Sequence, residues 1–285
     1  MRLKNILIIA LAVASMTTFT GCIDIIEEVF FNKDGSGKYT MRMDMSGMMS
    51  MVKMMSEMEE MAPEDEENAE EEEGEEDSFG AVMEQGIDSI MYLKDASADV
   101  RQQFDDNPDF VDKVNMRMNV DPDENIFQID FNLDFENMDD IDYFFKNFDK
   151  IGAMMGNDEE NSELDMLGGM GGGMGADSPL GGIMGDQFTR YFDMTKRTLI
   201  RRDAAQDEAA GMEEDMGAEE MQMMEMMFGE AKYKMIYHMP GKVKKMTNSG
   251  ATLSADKKTV MLEGNLMDYM KGDFKAANII KFGKK

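Results

Sequence analysis

Apolar and polar residues alternate with a period of two over two neighbouring segments in the middle of the chain. Between these segments, residues 121–125 read Asp-Pro-Asp-Glu-Asn, a run of residues that favours a turn. The alternation predicts an antiparallel hairpin with one buried and one solvated face. The residues of the predicted buried face are Val114, Met116, Met118 and Val120 in the first strand, and Phe127, Ile129, Phe131, Leu133 and Phe135 in the second.

Helical spacing replaces the alternation directly after this hairpin. Asn137 stands just before the first apolar residue of the new pattern, where an Asn side chain is a favoured N-cap. The spacing predicts a helix that packs one apolar stripe on the sheet. The apolar positions are Met138, Ile141, Phe144, Phe145, Phe148 and Ile151.

The same order of elements recurs elsewhere in the chain, which determines the fold class that we expect. Sheets with one apolar and one polar face, covered by helices on one side, form the two-layer α+β architecture. We therefore expect an α+β fold with a mainly antiparallel sheet, built from hairpin–helix units with the helices on one face. The first copy has strands at 26–31 and around Tyr39, Met41, Met43 and Met45, and then a helix from Ser46 to about Met61. A fainter copy has strands within 188–200 and a helix at 206–228. Further strands are predicted at 232–239 and 259–263.

Two segments without strand or helix patterns interrupt what we expect to be one domain over residues 22–285. Glu64–Asp77 contains 11 acids and no base, so it lacks the apolar surface that would offset its ordering entropy. The stretch 168–175 consists of glycine and methionine only. We predict disordered acidic and Gly/Met-rich loops, as flexible inserts at about 62–78 and 152–185.

The charge of the chain excludes one large class of partners. With 59 acids against 29 basic residues, the formal net charge is −30, so we expect no nucleic-acid partner. Residues 232–285 depart from this balance, because they contain 12 lysines and 4 acids. Two uses of these lysines stay open: binding to anionic lipid head groups, or neutralisation of the acidic body within the fold.

The N-terminus has the pattern of an export signal. Arg2 and Lys4 precede an uncharged run that ends in Phe19-Thr20-Gly21-Cys22, and a small residue before a cysteine is typical of a bacterial lipoprotein signal. We predict that residues 1–21 are removed and that Cys22 is acylated, anchoring the chain in membrane lipid. The alternative is an uncleaved membrane anchor of 19 residues. In the bacterial lipoproteins that this segment resembles, an Asp after the cysteine signals retention in the inner membrane; Ile23 stands there, so the resemblance implies the outer membrane of a bacterial envelope.

Few residues of the chain are suited to catalysis. The sequence has one histidine, one cysteine and no tryptophan, and no Ser or Thr lies in a nucleophile-elbow context. We expect His238 to be an exposed strand residue, and we predict neither an enzyme nor a bound cofactor. Two segments, 32–37 and 121–125, imitate the opening of a calcium loop but lack its final Glu, so we interpret both as hairpin turns.

Methionine is strongly enriched, with 37 residues, and three windows at 41–61, 154–184 and 212–227 hold 23 of them. Thioethers are soft ligands that select Cu(I), so a Met-rich Cu(I) or Ag(I) protein is one hypothesis. The favoured interpretation is that Met fills core positions where other chains use Leu. A role as an oxidant sink is the third possibility. We predict no structured metal site.

The order of several motifs resembles a family of uncharacterised, Bacteroidetes-type bacterial lipoproteins, and it is loosely similar to LppM-type lipoprotein domains. The resemblance implies an envelope location and an α+β fold, and none of its motifs is catalytic. The residues that carry it are Cys22, the segment Asp34-Gly35-Ser36-Gly37, the strand end Asp44-Met45-Ser46, Lys242-Val243-Lys244 and the segment 251–260.

Two functions therefore stay open. The first is a membrane-anchored, non-catalytic envelope lipoprotein that binds an unidentified envelope protein or lipid. The alternative is a Met-rich Cu(I)/Ag(I)-binding protein of the periplasm or cell surface.

Overall fold

Two β-sheets and a few short helices make up the part of the chain that the structure describes. The computed structural model describes residues 23–47, 49, 86–152, 192–203 and 228–283. Within these ranges the fold is α+β and mostly antiparallel, so the predicted class is confirmed. The leader 1–21, Cys22 and both predicted inserts, apart from Gly152, lie outside the described residues.

The elements follow one another in this order. The strands are β1 Asp24–Phe31, β2 Gly37–Asp44, β3 Ile87–Tyr92, β4 Val114–Asp121, β5 Ile126–Phe135, β6 Phe192–Thr195, β7 Thr198–Arg201, β8 Lys232–His238, β9 Val243–Lys245, β10 Thr252–Leu253, β11 Thr259–Asn265 and β12 Asn278–Phe282. The α-helices are α1 Ala98–Gln102, α2 Met138–Lys146, α3 Phe148–Gly152 and α4 Leu266–Met270. In the described ranges, no helix combines the length and apolarity that a membrane crossing requires.

The larger sheet has eight strands in the order β10-β11-β8-β1-β2-β5-β4-β3. Its neighbours pair in antiparallel fashion except for β1 and β8, which run parallel with Ile25 opposite Tyr233. The smaller sheet has four strands in the order β6-β7-β12-β9, all antiparallel. The first described strand, β1, is therefore an inner strand of the larger sheet.

Both calcium-loop imitations are hairpin turns, as predicted. Between β1 and β2, the Asp34 carboxylate accepts hydrogen bonds from the N–H and hydroxyl of Ser36, and Gly35 takes a φ of 100°. Between β4 and β5, the Asp121 carboxylate accepts from the N–H groups of Asp123 and Glu124. In both turns the carboxylate is thus occupied by the backbone of its own turn.

The predicted helix after β5 is present but divided in two. The Asn137 side chain accepts a hydrogen bond from the Asp139 N–H, so the predicted N-cap is confirmed. The helix breaks at Asn147, whose side chain donates to the Tyr143 carbonyl. Beyond the break, α3 buries Phe148 and Ile151. The apolar stripe continues across the break, because the Phe148 ring contacts those of Phe144 and Phe131.

One face of the larger sheet forms the core, and methionine contributes to it on several strands. The prediction that Met41, Met43 and Met45 share a buried face is confirmed, with exposures of 1%, 0% and 5%. Met116, Met118, Met235 and Met239 are also buried. The predicted helix at 206–228 and most of the three methionine windows lie outside the described residues.

The cover of this apolar face differs from the predicted one. Helix α2 covers the β2 side, where Phe144 and Phe145 contact the Tyr39 ring at centroid distances of 5.7 and 5.3 Å. The four-stranded sheet covers the β8 side, where Phe192 contacts Tyr237 at 6.0 Å. The predicted strands within 188–200 are present as β6 and β7, but they belong to this second sheet, which was not predicted because its other strands, β9 and β12, are only three and five residues long.

We expect Gly37→Ala to destabilise the fold by about 1–3 kcal/mol, because overpacking a tight site forces backbone shifts. A Cβ at this position would collide with the Phe30 carbonyl oxygen and lie 2.5 Å from Cζ of Phe135. Urea unfolding measures the loss. The control is Gly250→Ala, where the nearest atoms lie 3.4 Å away. Equal losses in the two variants would contradict the packing at Gly37.

Candidate functional site

An ion pair lies buried between the two sheets. Glu27 occupies a core-facing position of β1, between Ile25 and Val29, and its side chain is 0% exposed. Arg201 ends β7 in the smaller sheet, and its side chain is also 0% exposed. Nε of Arg201 lies 3.7 Å from Oε1 of Glu27. The pair therefore joins an inner strand of one sheet to the other sheet.

Tyrosine hydroxyls surround both charges. Tyr237 donates to Oε1 of Glu27 at 2.7 Å, and Tyr233 donates to Oε2 at 2.8 Å. The Tyr39 hydroxyl lies 3.4 Å from the same Oε2. Nη2 of Arg201 donates to the hydroxyls of Tyr233 and Tyr269 at 3.5 and 3.4 Å. We call these six residues the buried cluster: Glu27, Tyr39, Arg201, Tyr233, Tyr237 and Tyr269.

The surroundings hold the guanidinium in its charged form. Burial by itself would lower the pKa of Arg201, but the nearby oxygens of Tyr237, Tyr269 and Glu27 outweigh this effect and raise the pKa well above its usual range. Nε and Nη1 of Arg201 make no hydrogen bond to the described part of the chain. Two buried donors without acceptors reduce the net gain from the pair.

The buried cluster lies in the core rather than at an accessible surface, so its carboxylate and guanidinium do not face a substrate in this structure. The clearest effect of the buried cluster is to fix how the two sheets pack, because removing either charge leaves the other buried without a counter-charge. The pattern of the sequence did not predict this cluster. The available signal was an acid at an apolar position of a strand, Glu27, together with tyrosines at core positions of β2 and β8.

The opposite, outer face of the larger sheet carries ordered rows of charged residues. Arg42 makes two hydrogen bonds to Asp130, at 2.6 and 2.9 Å, and Arg117 makes two to Asp88, at 2.8 and 2.9 Å. Arg117 also stands directly opposite Asp130 across β4 and β5. The hydrogen bonds to Asp130 raise the pKa of Arg42, and those from Arg117 lower the pKa of Asp88. The charges thus alternate in sign across four strands.

His238 lies on the same outer face, as predicted, but it is half-buried rather than exposed, and its ring has partners on two neighbouring strands. Its ring stacks on Phe30 with a centroid distance of 4.0 Å. Nε2 lies 2.7 Å from the Glu28 carboxylate, and Nδ1 lies 3.1 Å from the Thr259 hydroxyl. Hydroxyl, imidazole and carboxylate therefore form one chain of hydrogen bonds across β11, β8 and β1.

These three hydrogen-bonded side chains are of the kinds that serve as nucleophile, base and orienting acid, but their surroundings differ from those in a hydrolase. The N–H groups of Thr259 and of the preceding residue, Lys258, both donate to the Ser254 hydroxyl. They are therefore occupied, and neither is oriented to stabilise an oxyanion. The group is better explained as another cross-strand polar row, like the hydrogen bonds from Thr40 to Asn132 and from Asn132 to Asn115.

Three large apolar side chains are exposed on this polar outer face. Phe30 is 44% exposed, Ile90 is 52% exposed and Tyr92 is 43% exposed. Ile90 and Tyr92 belong to β3, which ends the strand order of the larger sheet. The outer face thus combines rows of paired polar side chains with three exposed apolar ones.

The predicted lipid-attachment residue, Cys22, lies outside the described residues. The next residue, Ile23, is buried, and β1 starts at Asp24. Within the described ranges, no three His, Cys, Asp or Glu side chains are grouped so that they could hold a metal ion. Most of the methionines on which the Cu(I) hypothesis depends also lie outside these ranges.

Comparisons with known proteins add little. No family model matches the chain, and no curated protein matches it either. Among solved structures, the chain is similar to the folded domain of the Mycobacterium tuberculosis LppM protein, determined by NMR, with a TM-score of 0.32 and 7% identity over 94% of this chain and 95% of that one. This structural similarity is weak and decides neither a ligand nor an activity. No match supports the Bacteroidetes-type family that the sequence resembles.

We expect Arg201→Met to cost about 3–5 kcal/mol of folding free energy, because it leaves the Glu27 carboxylate buried without its counter-charge. Adding Glu27→Gln should restore part of this loss, since the amide carries no charge and its one oxygen still accepts from one of the two tyrosines that donate to the carboxylate. Urea unfolding of the single and double variants measures both effects.

The control is Arg117→Met, which breaks an exposed pair and should leave the unfolding midpoint nearly unchanged. Additive losses in the double variant Glu27→Gln/Arg201→Met would contradict the coupling between the two buried charges.

Proposed function

We propose that this protein is a non-catalytic bacterial envelope lipoprotein, anchored to the membrane by acyl chains on Cys22. The observation that carries the proposal is the position of β1. Ile23 is buried and the strand starts at Asp24, so Cys22 directly precedes an inner strand of the sheet. An acyl anchor at this position would hold the folded domain against the bilayer with no intervening linker.

The energetics of acylation support a stable anchor. Each buried methylene contributes about 0.8 kcal/mol, so one chain binds only marginally, whereas several chains on one N-terminus bind firmly. The position after the cysteine is Ile23, and we extend the proposal to the outer membrane on this ground. The LppM-type resemblance of the sequence agrees with an envelope location.

The outer face of the larger sheet is the surface that we propose for a partner. Its alternating charges fix the side chains in place, so little conformational entropy is lost when a second surface binds. Phe30, Ile90 and Tyr92 supply the apolar contacts that such an interface needs. The partner that we propose is an envelope protein or lipid.

A non-catalytic role fits the described chemistry. The carboxylate and guanidinium of the buried cluster lie in the core, with 0% side-chain exposure for both charges. The half-buried imidazole of His238 lies on a sheet face where the N–H groups of Lys258 and Thr259 already donate to the Ser254 hydroxyl. These observations support a non-catalytic role.

We expect Cys22→Ala to move the protein from the membrane fraction to the soluble fraction, because the only thiol of the chain is then lost. Mass spectrometry of the purified native protein should find Cys22 as the N-terminal residue with acyl groups attached. The matched control is Thr18→Ala, which changes the leader but retains the cysteine. A native protein that begins at Met1, or that carries an unmodified thiol, would sink the proposal.

The second candidate is a Met-rich protein that binds Cu(I) or Ag(I), and the methionine count favours it. The described methionines support the first candidate instead, because Met41, Met43 and Met45 pack in the core. We expect the soluble Cys22→Ala protein to show no stoichiometric Cu(I) binding in competition with a Cu(I) chelator. Tight binding of several ions per chain would favour the second candidate.

A further inference from the structure

One end of the smaller sheet collects basic side chains from four separate segments. We call this group the basic end. All of its side chains are exposed except that of Lys258, which is half-buried. Its members are Lys196 and Arg197 in the β6–β7 turn, Lys242, Lys244 and Lys245 in and before β9, Lys257 and Lys258 in the turn before β11, and Lys281 in β12.

Backbone hydrogen bonds hold these segments side by side. The Phe282 N–H donates to the Arg197 carbonyl at 3.0 Å, and the Gly283 N–H donates to the Lys242 carbonyl at 2.8 Å. The Val243 N–H donates to the Lys257 carbonyl at 2.7 Å. The basic residues are therefore neighbours in the fold although they span almost ninety positions of sequence.

Among the described residues, no acid forms an ion pair with the basic end, although the charge of Lys258 helps to lower the pKa of Asp256. Every described ion pair uses other cations: Arg42, Lys113, Arg117, Arg201, Arg202 and His238. Asp256 is the acid within one of the four segments, and its carboxylate is engaged by the Ser254 hydroxyl and the Lys258 N–H. In a chain with a net charge of −30, this is a local concentration of positive charge. The hypothesis that the C-terminal lysines neutralise the acidic body gains no support from these contacts.

Protection of a sheet edge against pairing with another chain explains only some of the lysines in the basic end. Lysines on an edge strand prevent edge-to-edge pairing, and β9 ends the strand order of the smaller sheet. Lys281, however, lies on β12, which has a neighbour on each side, and it stands directly opposite Lys245. Like charges in that arrangement are destabilising. The turn residues Lys196, Arg197 and Lys257 have no sheet edge to protect.

The basic end lies far from the proposed anchor. Lys232, at the start of β8, donates its N–H to Asp24 beside the anchor, whereas the Lys258 carbonyl accepts from Met239, just beyond the end of β8. The length of β1 and β8 separates the two sites by roughly 20 Å, at about 3.3 Å per residue.

The anchor end of the larger sheet is acidic. Asp24 stands opposite Asp44 across β1 and β2. Burial raises the pKa of Asp24, the backbone N–H and the charge of Lys232 lower it, and the charges of Asp44 and Glu263 add to the rise, so that the pKa is raised overall. The end of the sheet beside Cys22 thus carries the carboxylates of Asp24, Asp44 and Glu263 together with the exposed Lys232 side chain.

We propose that the basic end binds an acidic polypeptide segment of a partner protein in the aqueous space of the envelope. This inference rests on the proposed anchor, which places the basic end away from the bilayer. A polypeptide is favoured over the anchoring bilayer because the length of the strands separates the basic end from Cys22 by roughly 20 Å. Exposed lysines bind carboxylates as mobile point charges, which suits an extended acidic segment.

The test uses the mature chain with Cys22→Ala and a fluorescent poly-glutamate peptide, with anisotropy as the readout. We expect binding at low ionic strength that weakens as salt approaches about 0.15 M, where charges are screened beyond about 8 Å. The patch variant Lys242→Glu/Lys244→Glu/Lys257→Glu/Lys281→Glu should bind at least about tenfold more weakly.

The control variant carries the same change of charge at exposed basic residues elsewhere: Lys94→Glu, Arg101→Glu, Lys146→Glu and Lys271→Glu. We expect it to lose much less affinity than the patch variant, with equal urea midpoints confirming that both fold. Equal losses in the two variants, or no peptide binding by the unaltered chain at low salt, would overturn the inference.

Vesicles that contain phosphatidylglycerol form the second arm of the experiment. Binding to the vesicles without binding to the peptide would overturn the polypeptide proposal in favour of a bilayer. The two proposals fail separately, because the mass spectrum of Cys22 tests the anchor and the peptide tests the basic end. An acylated Cys22 with no peptide binding would refute only this inference.

Discussion

One strand, β1, determines how the two sheets of this protein pack, because its inner face is apolar except for Glu27. β1 places Glu27 among core residues, and a buried carboxylate is tolerable only with a counter-charge and hydrogen-bond donors. Arg201 supplies the charge from the smaller sheet, and the hydroxyls of Tyr233 and Tyr237 supply the donors. Because an apolar pair of similar volume could pack as tightly, the ion pair specifies which surfaces meet more than it increases stability.

Fixing the sheets in this way also fixes where the charges of the surface lie. The larger sheet turns its rows of alternating charge outward, while acids gather near Asp24 and lysines gather at the far end of the smaller sheet. Because the acidic and basic ends lie at opposite ends of the strands, the Cys22 anchor that we propose would orient both ends relative to the bilayer. The same fold would thus present an acidic end to the membrane and a basic end to the aqueous space.

The charges also show why composition is a poor guide to partners in this chain. A net charge of −30 excludes a uniformly basic surface, yet Lys281 stands beside Lys245 because β12 pairs with β9. The net charge is a sum over the whole chain, whereas a partner meets only the side chains within a Debye length of the contact. A basic surface can therefore exist on an acidic protein once folding has separated the charges.

Local features of the fold follow from the sequence because their causes lie within a few residues. Period-two alternation placed Met41 and Phe131 on the buried face, the Asp121 turn closed its hairpin, and Asn137 capped the helix. The break at Asn147 also has a local cause, but the helical spacing on both sides of it concealed the change of direction.

The sequence by itself determined the α+β class, the faces of the strands, the two turns and the position of a candidate lipid-attachment residue at Cys22. Tertiary structure decided the parallel pairing of β1 with β8, the second sheet, the partner of Glu27 and the gathering of lysines from four segments. The physical reason is the distance along the sequence between the residues that interact. Turns and caps are set by contacts between residues a few positions apart, whereas Glu27 meets Arg201 only because burying the common apolar face selects one arrangement of distant strands.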